Sequence, residues 1–244
     1  MDVGYLQQKE ELESLPNNDK FQSLVGGLLY LSVNTRPDIA ISTSILGRQV
    51  SKPTNADWTE AKRVLRYLKA TSELKLVLGA GKEELQGYAD ADWAGNVKDR
   101  KSNSGYLFRL GGGLISWCAR KQACVALSST EAEYISLAEG CRELLWIKKL
   151  MKDFGEPVQK PVQIFEDNQS CIKMLDENAG LKRSKHVDTK YHFVKDLAES
   201  RNINVTYCPS ADMLADILTK PLNRVKLENI RGRIGLRSQR DEEE

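Results

Sequence analysis

The sequence predicts an α/β protein: a mixed five-stranded sheet with helices on its faces, preceded by a small, mostly helical segment. Three observations predict it. Apolar residues recur at helical spacing from residue 19 to about 70 and give way to alternation after Gly79 and Gly81. Three alternating runs then follow in quick succession, as in an antiparallel meander. Two further strand-like runs are each separated by helical stretches, which is the pattern of crossovers between neighbouring strands.

Taken in order, Phe21, Leu24, Val25, Leu28 and Leu29 mark the first helix, and Pro37 in "NTRPDIA" suits the first turn of the next. A third helix starts near "PTNADW", where Thr54 and Asp57 are spaced as a capping pair. Its expected apolar face is Trp58, Ala61, Leu65 and Leu68, with Lys62, Arg63, Arg66 and Lys69 mostly opposite. The glycines at 79 and 81 place a domain boundary, dividing the chain into 1–80, 81–222 and a C-terminal helix with charged tail, 223–244. A fragment starting near Gly81 is expected to fold alone. The strands are "LQGYAD", "SGYLFRL" and "LISWCARKQACVALSS", the last two joined by the triple glycine 111–113. A long helix follows, with Ser128 and Glu131 as a capping box and Gly155 as its stop. "VQIFED" is a fourth strand, and Asn168 caps a short helix after it. "HVDTKYHFVKDLAES" is helical, "INVTYCP" is the fifth strand, and "SADMLADILTK" is a last helix ended near Pro221.

Apolar content of 41% and charged content of 29% fit a water-soluble domain, and no apolar run approaches the roughly 20 residues of a membrane helix. The N-terminus lacks the basic-then-apolar order of a secretory signal. Five cysteines without a C-x-x-C pair read as buried, reduced thiols of an intracellular protein, and two histidines leave zinc short of donors. Net charge is only +2, but basic residues cluster as Lys98, Arg100 and Lys101, as Arg120 and Lys121, and as Lys182, Arg183 and Lys185. Such clusters attract polyanions or are simply solvated surface.

The acids carry more information. "GYADADW" ends a probable core strand on two aspartates, although strands are poor in Asp. Ligands of open α/β sheets gather at the carboxyl ends of strands. Asp90 ends the first strand and Asp167 the fourth. Glu133 lies in the first two turns of the long helix, and Asp216 in the second turn of the last. Asp90 and Asp92 share a strand face, so only one need be a ligand. Glu131 and Asp212 read better as helix caps. Four clustered carboxylates with no certain basic partner repel one another unless a cation holds them, and all-oxygen ligation suits Mg²⁺ or Mn²⁺.

With these residues assembled, the sequence resembles the ribonuclease H domain of copia-type retrotransposon Pol polyproteins. The resemblance rests on "GYADADWAGNVKDRKSNSGYLF", "ISWCARKQACVALSSTEAEYISLAEGCRELLW", "FEDNQSCI", "KHVDTKYHFV" and "ADMLADILTKPL". The stretch from "LVGGLLYL" to "RVLRYLK" is similar to the thumb and connecting region that ends the same polyproteins' reverse transcriptase. The resemblance implies a ribonuclease H-like fold and cleavage of the RNA strand of an RNA–DNA hybrid. It implies Asp90, Glu133, Asp167 and Asp216 as the catalytic acids, holding two Mg²⁺ ions with Asp90 between them. Asp92 and Trp93 then belong to the turn leaving the strand. The implied partners are the hybrid and the remainder of the Pol polyprotein, with no membrane. The implied location is the cytoplasm, in a virus-like particle, or the nucleus.

The chain departs from the wider fold in lacking a histidine in the loop before the last acid, "YCPSADM", and His186 and His192 lie upstream. The Tyr-x-Asp-Asp element of a polymerase palm is absent too. Competing readings are a non-catalytic remnant that still binds nucleic acid, a transposase or integrase of related fold, and a helical adaptor.

Overall fold

The computed structural model describes residues 1–5, 13–79, 81–175 and 185–238; the side chains of 185–188, and with them Lys185 and His186, lie outside the description, as do Lys182 and Arg183. The helical segment consists of α1 (Asp19–Asn34), a 3₁₀ turn (Pro37–Ile39), α2 (Ala40–Gly47) and α3 (Asn55–Ala70). Its own core contains Phe21, Val25, Leu28, Leu46, Val64 and Leu68. The Thr54–Asp57 pair forms the full capping box: the Thr54 hydroxyl accepts from the Asp57 amide while the Asp57 carboxylate accepts from the Thr54 amide. Leu65 and Leu29, expected on apolar faces, are exposed; in α3 the inward turn is taken by Val64 instead.

A two-residue strand, β1 (Lys75–Leu76), leads out of this segment. The meander is β2 (Gln86–Asp92), β3 (Asn103–Leu110) and β4 (Gly113–Lys121). β4 stops at Lys121, well short of the "ACVALSS" expected to continue it. β3, its neighbour among the described strands, begins at Asn103, the partner of Lys121, and past that point one hydrogen bond, from the Gln122 amide to the Ser102 carbonyl at 2.8 Å, ends the pairing. Next come α4 (Ser129–Asp153), β5 (Val162–Glu166), α5 (Gln169–Lys173), α6 (Lys185–Glu199) and β6 (Ile203–Tyr207). Ser128 caps α4 by accepting from the Glu131 amide, but the Glu131 carboxylate accepts from Leu127 one residue before the cap, so the box is not reciprocal. The segment expected as the last helix is a 3₁₀ turn, Leu214–Leu218, because Pro221 has no N–H to extend an α-helix. Asp212 is not a cap there; it pairs with Arg233 at 3.0 Å. α7 (Arg224–Arg233) and β7 (Leu236–Arg237) complete the chain's described elements, and β7 pairs antiparallel with β1.

The main sheet has the order β4-β3-β2-β5-β6, with β2–β3 and β3–β4 antiparallel and β2–β5 and β5–β6 parallel. This is the ribonuclease H-like arrangement that the resemblance implied. Alternation along the strands builds two cores. Ala89, Tyr106, Phe108 and Ile164 face Leu137, Leu144, Tyr191 and Val194 of α4 and α6. Tyr88, Leu107 and Leu114 face Leu214, Ile217, Leu218 and Ile230. Ala40 of α2 joins this second core, Ile41 and Ile45 pack near Ala119, and the Trp117 indole donates to the Ser32 carbonyl at 2.7 Å. The helical segment therefore covers the β3–β4 part of the sheet, and residues from 81 onward share their core with it. Of the cysteines, Cys141, Cys171 and Cys208 are buried as expected, whereas Cys118 is half-buried and Cys124 exposed.

Candidate metal centre

The parallel β2–β5 pairing matches Tyr88 with Phe165, and continuing that register sets Asp167 beside Asp90. Strand alternation turns Asp90 to the same face as Tyr88, toward the 3₁₀ turn. α4 begins after the β4 loop and carries Glu133 to the same end. One carboxylate oxygen from each of Asp90, Glu133 and Asp167 lies within 4.8 Å of the others. Asp90 and Glu133 are buried and Asp167 is half-buried.

Burial pushes the Asp90 carboxyl up to about 7, against the pull of Lys220 and the Thr219 hydrogen bond; Asp216 adds to the rise. Burial also drives Glu133 up to about 11, followed by the charges of Glu166, Asp90 and Asp167. Oε2 of Glu133 is buried without a hydrogen-bond partner. Three converging carboxylates, two of them with pKa values raised by burial and one with an unpartnered oxygen, are a donor set that fits a hard divalent cation. A bound cation favours the ionised form of Asp90 and Glu133.

Asp216 stands differently. It is buried, but both of its oxygens are taken by ammonium groups, Oδ1 by Lys220 and Oδ2 by Lys226. Lys220 also reaches within 3.9 Å of Asp90. Burial opposes the Lys220 charge, but Asp90 and Asp216 raise its pKa regardless. The expectation that no basic residue neutralises the acids is thus corrected, since two lysines sit against the fourth. Lys220 lies one helical turn beyond Asp216, a spacing visible in "DILTK"; Lys226 arrives from α7 and leaves no such signal.

Glu166, which precedes Asp167, is a further acid at this strand end. It is fully buried on the face of Val162 and Ile164, Oε1 accepts from the Asn168 amide at 3.0 Å, and burial raises its pKa well above the ordinary value. Alternation in "VQIFE" does turn residue 166 inward, so the signal was present. Asp92 closes β2 half-buried outside the trio, with its pKa raised by burial, and Trp93 follows it with its indole donating to the Ala126 carbonyl at 3.2 Å.

Gly105 makes this geometry possible. It lies directly across from Asp90, and a Cβ there would meet Leu218 Cβ and Thr219 Cγ2, each at 2.7 Å. Only a glycine lets the 3₁₀ turn approach β3 closely enough for Thr219 to donate its hydroxyl to Asp90.

The described basic residues cluster at the same sheet end. Lys98 and Arg100 are exposed in the β2–β3 loop, where Lys101 donates to the Ala123 carbonyl at 2.6 Å. Arg120 and Lys121 close β4 and pair with Glu139 at 3.0 Å and Asp99 at 2.5 Å. Surface pairs of this kind are weak and exchange readily for phosphate. His192 is exposed on α6, edge-on to Tyr191, not packed into the core. Among the described residues no helix is long and apolar enough to cross a membrane.

No protein-family model matches the chain. It is 36% identical over 233 residues to the retrovirus-related Pol polyprotein from transposon TNT 1-94 of Nicotiana tabacum, an alignment covering 96% of this chain and 17% of that protein. It is 39% identical over 223 residues to the corresponding polyprotein from transposon RE2 of Arabidopsis thaliana, covering 91% of this chain and 15% of that one. The chain spans less than a fifth of the length of these curated relatives. Among solved structures, the foamy viral protease-reverse transcriptase in complex with an RNA/DNA hybrid aligns with 91% of this chain and 28% of its own, at 13% identity and a TM-score of 0.49. At that score the fold rests on strand order and register, not on the superposition.

Proposed function

Because the chain belongs to the copia-type retrotransposon Pol polyprotein family, we propose that it hydrolyses the RNA strand of RNA–DNA hybrids, with Asp90, Glu133, Asp167 and Asp216 as its catalytic acids. The observation that carries this reading is the convergence of the Asp90, Glu133 and Asp167 oxygens within 4.8 Å at the carboxyl end of β2 and β5. These three would hold Mg²⁺ or Mn²⁺. Asp216 becomes available to a second cation only when Lys220 and Lys226 give way. Divalent cations in such a centre activate water and neutralise charge on the phosphodiester being cut.

The chain's own residues supply the rest. Asp90, fixed by Thr219 and central among the acids, orients the centre. Lys98, Arg100, Lys101, Arg120 and Lys121 offer a basic rim to the hybrid backbone, with Lys182, Arg183 and Lys185 as further candidates. Choice of the RNA strand must come from contacts to the 2′-hydroxyl, because the phosphate is common to both strands. The partners in this reading are the hybrid and the remainder of the Pol polyprotein.

The experiment is incubation of the purified chain with a labelled hybrid in Mg²⁺ and in EDTA, beside duplex DNA. Mg²⁺-dependent cutting confined to the RNA strand is expected. The lysine clamp on Asp216 favours one alternative, a remnant that binds hybrid without cutting it. Retained hybrid binding with no Mg²⁺-dependent cleavage decides for that alternative. Equal cutting of DNA refutes both.

A further inference from the structure

We propose that Arg48, at the end of α2 in the helical segment, is a positioning residue for Asp90, acting through a hydrogen-bond relay of Asn103 and Thr219. The consequence for catalysis rests on the reading of Asp90 as a cation ligand; the relay itself does not. Arg48 Nη2 donates to Asn103 Oδ1 at 2.8 Å and to Ser44 Oγ at 3.1 Å. Asn103 opens β3 fully buried, between Asp92 of β2 and Lys121 of β4, and its Nδ2 donates to the Thr219 carbonyl at 3.1 Å. Thr219, also fully buried, donates its hydroxyl to Asp90 Oδ2. Four residues thus connect the helical segment to the acid at the centre of the site, the link at Thr219 passing from its backbone carbonyl to its own hydroxyl.

The direction of each bond is set by chemistry. A guanidinium only donates, so Arg48 obliges Asn103 to present its oxygen, which leaves the amide nitrogen for the Thr219 carbonyl. The Asn103 amide also donates to the Asp92 carboxylate, so Asp92 and Arg48 fix its orientation together. With Arg48 gone, the Asn103 oxygen has no donor, and an amide drawn toward Asp92 takes its nitrogen away from the Thr219 carbonyl. Thr219 would then lose its anchor on β3 and the carboxylate of Asp90 its orientation.

Arg48 is a poor choice for packing alone. Nη1 is buried with no hydrogen-bond partner, and burial lowers the pKa of the group to about 10 despite the charge of Asp99. An apolar side chain of similar length would fill the space at lower desolvation cost. What an apolar side chain cannot supply is a donor to the Asn103 oxygen.

The test compares Arg48→Met, Arg48→Lys, Thr219→Val, the double variant, and Trp117→Phe, which breaks a different bond between the same two regions. Two readouts are taken: the Asp90 side-chain carboxyl ¹³C resonance in chelator, and Mn²⁺ affinity. Arg48→Met and Thr219→Val should each shift the resonance and weaken Mn²⁺ binding by about tenfold, the scale typical of residues that orient a ligand. The double variant should be no worse than Thr219→Val, Arg48→Lys should restore most of the loss, and Trp117→Phe should change neither readout. Additive effects, or an Asp90 resonance unmoved in Arg48→Met, overturn the relay. If Arg48→Met does not fold, the wild-type Asn103 side-chain amide decides: slow hydrogen exchange upholds the relay, and exchange at the rate of an exposed amide overturns it. A moved resonance in a protein that binds no Mn²⁺ upholds the relay and refutes the metal centre.

Discussion

Replacing Asp167 with Asn tests the electrostatics of the acid trio directly. Its oxygen lies within 4.8 Å of those of Asp90 and Glu133. At an effective dielectric constant near 20, two unit charges at that separation repel by about 3.5 kcal/mol. Glu133, raised to about 11 by burial, is neutral near pH 8 and adds little, whereas Asp90, near 7, is largely ionised there. Asp167 is half-exposed, so solvent screening reduces the Asp90 repulsion to about 1–2 kcal/mol. The Ser210 hydroxyl that donates to Asp167 at 2.7 Å finds the same acceptor in Asn. In chelator at pH 8, Asp167→Asn should therefore melt higher than wild type by about 2–8 °C, given a shift of about 2–4 °C per kcal/mol for a domain of this size. At pH 5.5, where Asp90 is protonated, the gain should vanish. Cleavage should fall by at least about a hundredfold, because one donor of the cation is lost. Thermal melts at the two pH values, in EDTA and across a Mg²⁺ titration, together with hybrid cleavage, make the measurement. A lower melting temperature at pH 8, a difference independent of pH, or wild-type cleavage refutes the reasoning.

Because the pKa values of Asp90, Glu133 and Glu166 are raised in the folded protein, their contribution is fully present below their ordinary values and is lost as pH rises. The metal-free melting temperature should accordingly fall from the ordinary carboxylate range up through about 7, and Glu166→Gln should flatten that slope; a melting temperature that rises over the interval contradicts it. Gly105→Ala forces Cβ to within 2.7 Å of Leu218 and Thr219 and should cost about 1–3 kcal/mol with loss of cleavage; an unchanged melt and rate would show that the 3₁₀ turn moves away freely. A fragment beginning at Gly81 should lack a cooperative melt, since Leu107, Trp117 and Ala119 lose the cover of α1 and α2. A two-state transition with retained cleavage would restore the simpler picture of an independent domain.

Much of the sheet was legible because strand alternation and glycine breaks are local signals. "GYADAD" and "FED" gave the strand ends, and topology alone then brought Asp90 and Asp167 together. The 3₁₀ turn reads as a helix in sequence because Leu214 to Leu218 are all buried, so apolar content imitates a helix where no amphipathic face exists. The end of β4 depended on where its partner begins, which lies in another strand. Glu166 was hidden by a more familiar acid next to it, although its place in the alternation was readable. Lys226, Asn103 and Arg48 reach the site from separate elements, and no spacing in one dimension records that meeting.

The pairing of β1 with β7 has a kinetic consequence. Lys75 and Leu76 find their partners in Arg237 and Leu236, across nearly the whole intervening chain. Loops of that length close slowly, and contacts between distant residues delay the transition state. During synthesis α1 to α3 emerge before the sheet that α2 covers and well before the strand that clips β1. Until then Ile41 and Ile45 have no sheet to lie on, so the early segment emerges with open apolar surface. Refolding should show a late phase in which the Trp117 environment and the β1–β7 clip form together, and chaperone dependence should be greatest for nascent chains released before Leu236 is made.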